Sequence, residues 1–272
     1  MEVLRTGITQ PRASFKALLN NVENECKHSY DFLRELISNS YDAKCTRIDV
    51  FPHYVMSRTA EPICSVLVVM DDGRGMDDLP LENADGLLDA PRSRLDACFQ
   101  LGMSTNTGVD SCGRFCYGTQ QVMLKCDVGF VCITRTARMP PDEVILIDSD
   151  HIRDDLLGNE IEWKVVTRDT AFRAVRARMS CDKDEFAASL RVLEERMSTF
   201  ASGTLMLVAS SKSQFHKDQM TNLRRWTPTW TRRYKATFPE TIETSLLVTA
   251  IRFSTRHGCP LVDGREQFSG RM

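Results

Sequence analysis

The sequence predicts an α+β domain, and three features carry this prediction. Residues 30–43 place apolar side chains at helical spacing, and residues 63–70 form a continuous valine-rich run that is typical of a strand buried in a sheet. Residues 129–136 and 143–147 read as strands separated by a short connection, which indicates an antiparallel pair. Because no repeat and no linker divides the chain, one domain is the simplest organisation.

Length and composition describe an ordinary globular protein. The chain has 272 residues, of which 42% are hydrophobic and 26% charged, so it can bury a substantial core. Its net charge of −2 predicts no general attraction to nucleic acid or anionic membranes. No apolar run is long enough to span a membrane, and the N-terminus lacks the apolar core of a signal peptide. The ten cysteines include no Cys-x-x-Cys pair, which argues against zinc and favours reduced thiols in an intracellular protein.

The remaining elements follow from the same kinds of pattern. The first dozen residues are expected to form an arm that is either tied down or mobile. Proline at position 52 is expected to stop the strand that precedes it. Further helices are predicted at residues 14–25, 92–101, 183–197 and through 122–124, and further strands at 45–51, 161–166, 205–209 and 246–253.

The helix predicted at residues 30–43 carries a polar row beside its apolar stripe. Glu35, Asn39 and Asp42 recur at i, i+4 and i+7, so one amide and two acids share a face. Taken alone, such a row is typical of a solvated helix surface. Its meaning depends on the motifs that follow.

The strand predicted at residues 63–70 runs directly into Asp71-x-Gly73-x-Gly75. Two glycines one residue apart indicate a turn in which the backbone approaches another group closely. An acid at the end of a buried strand can accept hydrogen bonds from a ligand amine in a dry pocket. The pattern by itself also fits an ordinary tight turn.

Residues 77–112 form a long polar segment with several glycines and prolines, which is typical of a functional lid. Gly113 and Gly118 follow it and precede an apolar helix, whose first amides and dipole would favour a phosphate. The segment is not a P-loop, because no Gly-Lys-Ser/Thr sequence is present there. Ser202-Gly203-Thr204 then opens the strand at residues 205–209, either as a phosphate contact or as an ordinary turn.

Basic and aromatic residues alternate in the stretch 224–235, a composition that suits single-stranded nucleic acid. However, Trp226, Trp230 and Tyr234 repeat every fourth residue, which favours a helix stripe packed on a core. The packing interpretation is preferred, and nucleic-acid binding stays as the alternative.

In order and spacing, Glu35-x-x-x-Asn39-x-x-Asp42, Asp71-x-Gly73-x-Gly75, the glycine-containing lid and Thr204 resemble the GHKL ATPase superfamily, over residues 20–208. Within it, the chain is most similar to the MORC group and the SMC flexible-hinge-domain-containing group. The resemblance implies the Bergerat fold: a two-layer α+β sandwich with a mixed, mostly antiparallel sheet and helices on one face. It implies a single ATPase domain over residues 1–272, with an arm at 1–13, an ATP lid at 77–112 and a C-terminal extension at 210–272 packed on the core.

The resemblance also implies roles for individual residues. Glu35 would be the general base for the attacking water, Asn39 the Mg²⁺ ligand, and Asp71 the acceptor of the adenine amine. Contacts to ATP are expected from Asn39, Asp42, Asp71, Gly73, Gly75, Met76, Ser104, Thr105, Gly113, Gly118, Thr119 and Thr204. The implied function is an ATP-binding, slowly ATP-hydrolysing switch whose lid closure promotes homodimerisation, in a nuclear protein acting on chromatin or DNA and without a membrane partner.

Two departures from the family pattern favour an alternative. Cys116 replaces a glycine of the lid, and Gln120 stands where related proteins have lysine, so a cation near the phosphates is missing. No transducer domain is recognisable after residue 253. These features are typical of a catalytically degenerate nucleotide-binding or dimerisation module.

Overall fold

The computed structural model describes residues 3–9, 29–56, 62–80, 93–99, 118–124, 126–158, 160–179, 185–210 and 247–248. The strands are β1 (Val3–Thr9), β2 (Ile48–Met56), β3 (Pro62–Asp71), β4 (Gly129–Arg135), β5 (Glu143–Ser149), β6 (Ile161–Thr167), β7 (Gly203–Ser210) and β8 (Leu247–Val248). The helices are α1 (Ser29–Asp42), α2 (Arg94–Phe99), α3 (Gly118–Leu124), α4 (Ile152–Gly158), α5 (Arg168–Met179) and α6 (Glu185–Thr199).

All described strands belong to one sheet, in the order β1-β6-β5-β4-β7-β3-β2-β8. Every described pairing is antiparallel except the short β2–β8 contact. β7 lies between β3 and β4 in the sheet, although it follows both of them in the sequence. The predicted α+β class and the mostly antiparallel sheet are confirmed.

The helices lie on both faces of the sheet, which corrects the expectation of helices on one face. On one face, alternate strand residues such as Leu67 and Phe130 pack with α1, α2, α3 and α4. On the other, their neighbours Val68 and Val131 pack with α5 and α6. The physical reason is that the central strands are apolar on both sides, so each face needs a covering layer.

The N-terminal arm includes a strand of the sheet. β1 pairs with β6 and lies at the sheet edge. Gly7 lets β1 pass beneath the Trp163 ring, because a Cβ at position 7 would overlap the indole atoms. Arg5 forms an ion pair with Asp78 at 2.7 Å, which links β1 to the chain beyond the glycine motif.

β2 continues through Pro52 to Met56, so the prediction that this proline ends the strand is wrong. Pro52 pairs in register with Leu67 of β3. On the opposite side, β8 contacts only Asp49 and Val50 in the part of the chain that is described. A residue without an N–H is tolerated where a strand has no partner on one side.

Sequence patterns located most of the other described elements to within a few residues. The predicted helices at 30–43, 92–101 and 183–197 correspond to α1, α2 and α6. α4 and α5 were not predicted, because α4 is only seven residues long and charged residues interrupt the apolar positions of both helices. The predicted helix at 14–25, the aromatic stripe at 226–234 and most of the lid lie outside the described residues. No described helix is both long and apolar enough to cross a membrane.

Candidate nucleotide site

Three adjacent strands each place one polar side chain at the same level of the sheet. Asp71 at the end of β3 lies opposite Thr204 of β7, and Thr204 lies opposite Thr134 of β4. By strand alternation, all three face the side covered by α1, and all three are buried. Asp71 and Thr204, which are 133 positions apart in the sequence, are therefore brought together by strand pairing.

Asp71 is held by hydrogen bonds from both layers. The Ser40 hydroxyl of α1 lies 2.9 Å from one carboxylate oxygen, and the Gly73 amide donates to the other at 2.9 Å. Burial raises the pKa of Asp71 to about 6, and these two hydrogen bonds oppose the shift. The carboxylate is thus nearly dry yet oriented, as an acceptor for a ligand amine needs to be.

The two glycines of the motif are required by close backbone approach. A Cβ at position 73 would lie 2.7 Å from the Cβ of Ala43, just beyond α1. Gly75 has a φ of +65°, and a Cβ there would collide with the backbone carbonyl of Arg135. The predicted close approach is therefore present, and its partners are the end of α1 and the end of β4.

Beyond the glycines, the chain crosses the end of the sheet and is anchored at each step. The Met76 amide donates to Thr134 Oγ1 at 2.8 Å. Asp77 is fully buried, accepts a hydrogen bond from Thr136, and pairs with the Arg138 guanidinium at 2.8 Å. These contacts fix the path of the segment that would lie beside a bound base.

α1 and α3 together form the wall that carries the predicted catalytic residues. Glu35 is half-buried and lies against the start of α3, where a Cβ on Gly118 would be 2.5 Å from Glu35 Oε2. The Asn39 amide donates to Thr119 Oγ1 at 3.2 Å. Asp42 is buried at the end of α1, and its carbonyl accepts a hydrogen bond from the Arg74 guanidinium at 2.8 Å.

The structure thus brings together most of the predicted site residues that it describes. One part of the site lies at the strand ends and contains Asp71, Gly73, Gly75, Met76 and Thr204. The Ser40 hydroxyl of α1 forms a hydrogen bond to Asp71 and so connects this part to the helix. Glu35, Asn39, Gly118 and Thr119 form the α1–α3 part. The remaining predicted residues Ser104, Thr105 and Gly113 lie outside the described residues.

Gln120 occupies the position where a lysine was expected, and its side chain turns to α2. Its amide donates to the Cys98 carbonyl at 2.9 Å, while its Oε1 is buried without a partner among the described residues. Cys98 Sγ also lies 3.5 Å from Thr119 Oγ1. The Gln120 side chain therefore ties α3 to α2 and supplies no positive charge.

Four cysteines whose side chains the structure describes, Cys45, Cys98, Cys126 and Cys132, are free thiols. Burial raises the pKa of Cys98 to about 11, and it also raises the pKa values of Cys45, Cys126 and Cys132 well above the ordinary thiol value. Because the thiolate is the nucleophilic form, these four groups stay protonated and inert near neutral pH. They behave as core residues.

Two arginines that the sequence analysis did not single out bind backbone carbonyls of the segment that leads to Thr204. Arg135 donates to the carbonyls of Phe200 and Ala201, and Arg168 donates to those of Met197 and Phe200. Both therefore cap the C-terminal end of α6, just before β7 begins. Burial, followed by the charge of Arg168, lowers the pKa of Arg135.

Thr134, Thr136, Ser40 and these arginines carried no sequence signal. A threonine in a strand is ordinary, and its contact with Thr204 depends on a pairing across 70 positions. Ser40 follows Leu36 by one turn on the buried stripe of α1, away from the polar row, so its contact with Asp71 appears only in the folded structure.

Among the described residues, no three His, Cys, Asp or Glu side chains are clustered as metal ligands. A magnesium ion held with a nucleotide does not need such a cluster, because phosphate oxygens and water supply most ligands. The Asn39 side chain offers a hard oxygen donor on the α1 wall beside Glu35. The donor set is therefore compatible with Mg²⁺ bound as a nucleotide complex.

Residues 29–116 match the family model for the histidine kinase-, DNA gyrase B- and HSP90-like ATPases. The match supports the GHKL superfamily. The matched segment contains α1, β2, β3 and the glycine motif, so it includes Glu35, Asn39 and Asp71. Among curated protein sequences, none matches this chain.

Solved structures with a similar fold include two topoisomerase regions. The ATPase region of Saccharomyces cerevisiae topoisomerase II bound to ICRF-187 (dexrazoxane) is 15% identical, with a TM-score of 0.43, over 72% of this chain and 43% of that one. The ATPase and transducer domains of Balamuthia mandrillaris DNA topoisomerase II are 13% identical, with a TM-score of 0.41, over 68% and 38%.

The N-terminal domain of a DNA repair protein is 14% identical, with a TM-score of 0.36, over 81% of this chain and 46% of that one. The chain spans less than half the length of each of these three structures.

Proposed function

We propose that this chain is an ATP-binding switch of the GHKL type that hydrolyses ATP slowly with Mg²⁺. One observation carries the proposal: the Ser40 hydroxyl of α1 lies 2.9 Å from the buried Asp71 carboxylate. This contact seats the helix with Glu35 and Asn39 directly against the acid at the strand end. Asp71 for the adenine base, Asn39 for the metal ion and Glu35 for the attacking water thus border one site.

In this proposal Asp71 accepts a hydrogen bond from the adenine amine, and Gly73 and Gly75 let the backbone pass close to the base. Asn39 holds Mg²⁺ through its side-chain oxygen, and the ion, when bound, neutralises negative charge on the phosphates. Thr204 joins the hydrogen-bond network beside Asp71. Ser104, Thr105, Gly113 and Gly118 are proposed to belong to the lid over the phosphates, Thr119 to contact ATP beside them, and Asp42 to support the pocket wall.

Glu35 is proposed to orient the attacking water and take its proton. A carboxylate on a rigid helix, placed within hydrogen-bond reach of a water, is what general-base hydrolysis requires. Glu35 is half-buried at the α1–α3 junction, where Gly118 leaves room for its carboxylate. Glycine at position 118 therefore leaves the space that the Glu35 carboxylate occupies.

Single-turnover hydrolysis with enzyme in excess tests the catalytic part. We expect Glu35→Gln to lower the rate about 100-fold or more, because general-base catalysis contributes about that factor. Glu160→Gln, which changes an exposed acid in the same way, is the matched control. Equal rates for the wild type and Glu35→Gln would contradict the catalytic role.

Equilibrium binding of ATP tests the pocket itself. We expect Asp71→Asn to weaken ATP binding about ten-fold or more, because the amide presents a donor or a weaker acceptor to the adenine amine. Asp154→Asn on the exposed side of α4 is the control. Unchanged affinity in Asp71→Asn would contradict the site assignment.

A second candidate is a nucleotide-binding or dimerisation module without turnover. The observation that favours it is the Gln120 side chain, which is bonded to the Cys98 carbonyl and brings no cation to the site. Under this alternative, ATP binds tightly in an Asp71-dependent manner, and no phosphate is released even with protein in excess. The same two experiments separate the candidates.

The wider role is also a proposal. Similarity to the MORC and SMC flexible-hinge-domain-containing groups suggests ATP-dependent homodimerisation, with lid closure over residues 77–112, in nuclear work on chromatin or DNA. Sedimentation with and without a non-hydrolysable ATP analogue tests dimerisation. Direct DNA binding through residues 224–235 is disfavoured by the net charge of −2, and a salt-dependent DNA affinity would support it.

A further inference from the structure

Thr134 holds three parts of the proposed base pocket with one hydroxyl group. Its Oγ1 accepts the Met76 amide proton at 2.8 Å, and it lies 3.2 Å from the Gly203 carbonyl and 3.1 Å from Thr204 Oγ1. The side chain is 1% exposed, so water does not compete for these bonds. Thr134 therefore joins the glycine motif to the turn that opens β7.

The chemistry of these neighbours determines which way the protons point. The Met76 N–H can only donate, and the Gly203 carbonyl can only accept, so the Thr134 proton goes to Gly203. The remaining lone pair of Thr134 then accepts the Thr204 hydroxyl proton. Every hydrogen bond of Thr134 is made in this arrangement, and Thr204 presents only lone pairs to the pocket.

We infer that Thr134 is a positioning residue that commits the Thr204 proton to the protein interior and thereby makes the pocket select adenine over guanine nucleotides. This inference rests on the proposed binding of ATP at Asp71. Asp71 and Thr204 lie opposite each other on β3 and β7, so together they form one edge that only accepts hydrogen bonds.

Such an edge distinguishes the two purines at the C6 position. Adenine has an amine there and donates to the acceptors, whereas guanine has a carbonyl, which would face two acceptors without a proton between them. A buried polar group left unpaired in this way costs more than the loss of a favourable bond. Without the Thr134 hydroxyl, Thr204 is free to rotate and to donate its proton to the guanine carbonyl.

Equilibrium binding of ATP and GTP to the whole chain tests the inference. We expect wild type to prefer ATP, and Thr134→Val, which keeps the shape but removes the hydroxyl, to lower the ATP-to-GTP affinity ratio about ten-fold, the factor of one hydrogen bond. Thr134→Ser restores a hydroxyl and should keep the ratio near the wild-type value. Adding Thr134→Val to Thr204→Val should cause no further change, because Thr134 acts through Thr204.

Thr136→Val is the matched control, since Thr136 lies two residues along β4, is buried and bonds Asp77 instead. Thr136→Val should lower the free energy of unfolding and leave the ATP-to-GTP affinity ratio unchanged. If Thr134→Val does not fold, Thr134→Cys replaces it, with the same expected fall. Wild type that binds neither nucleotide overturns the proposed function and this inference with it. If the wild type prefers ATP but Thr134→Val, or Thr134→Cys in its place, leaves the ATP-to-GTP affinity ratio unchanged, the inference alone is overturned.

Discussion

At the scale of single residues, the site depends on how closely α1 approaches the strand ends and α3. Ser40 touches Asp71, and Glu35 lies against Gly118. Such contacts have little tolerance for added volume, because protein interiors are packed as densely as organic crystals. A single methyl group is therefore a sensitive probe of whether Glu35 is where hydrolysis needs it.

Gly118→Ala is predicted to reduce single-turnover ATP hydrolysis about ten-fold or more while the protein still folds. The new Cβ would lie 2.5 Å from Glu35 Oε2, so the carboxylate has to move. Displacements of about 1 Å at a reacting group can cost about 100-fold in rate. Gly118 does not have a positive φ, so the backbone there accepts alanine without strain.

Gly158→Ala is the control, because a Cβ there meets nothing within 4 Å and the residue also lies in a short helix. Its hydrolysis rate should equal that of the wild type. A Gly118→Ala protein with full activity would mean that Glu35 does not act from the position described.

At the scale of elements, the sheet edge at β1 depends on a glycine beneath an aromatic ring. Gly7 allows β1 to pair with β6 although Trp163 lies across it. The nearby Arg5–Asp78 ion pair has an arginine side chain that is 45% exposed, so solvent screens it. Packing at Gly7, rather than the ion pair, is expected to hold β1 in place.

Gly7→Ala is predicted to lower the free energy of unfolding by about 1–3 kcal/mol, the usual cost of overpacking. Arg5→Ala should change it by less than about 1 kcal/mol, as exposed ion pairs do. Denaturant titration measures both. In a Trp163→Leu background the cost of Gly7→Ala should shrink, and an equal cost in both backgrounds would contradict the packing explanation.

At the scale of the whole molecule, the buried Asp71 links pH to stability. Burial raises its pKa from 3.8 to about 6, so between these values the folded protein binds more protons than the unfolded chain. The contribution of this group is therefore fully present below about pH 4 and is lost as pH rises through 6. Asp49 also has a pKa raised by burial, so only a comparison with a variant isolates Asp71.

The prediction is that Asp71→Asn gains stability relative to wild type between pH 4 and 7, by up to about 3 kcal/mol. An amide at position 71 can keep the bond from Gly73, and Ser40 can donate to the Leu36 carbonyl instead. The difference in unfolding free energy between the two proteins, measured without nucleotide across this range, checks it. If the unfolding free energies of Asp71→Asn and wild type depend on pH in the same way, the prediction is contradicted. For the control Asp154→Asn, the pH dependence should equal that of the wild type.

The sequence alone determined the local pieces of this protein. Helical periodicity located α1, and continuous apolar runs located β3 and β7, because the number of buried faces sets the apolar pattern of each element. Neither the spacing of Glu35 and Asn39 nor the acid–glycine motif after β3 indicated a nucleotide site by itself. Their combination with the lid and Thr204 resembles the GHKL ATPases, and the match over residues 29–116 supports that superfamily.

Tertiary structure alone decided how the pieces meet. Strand order placed Thr134 beside Thr204 and Thr204 beside Asp71, and α5 and α6 covered the second face of the sheet. Ser40, Thr134 and Arg135 gain their roles from partners between 31 and 70 positions away. A local pattern cannot encode such contacts, because which strands pair is settled by packing of the whole chain rather than by any one segment.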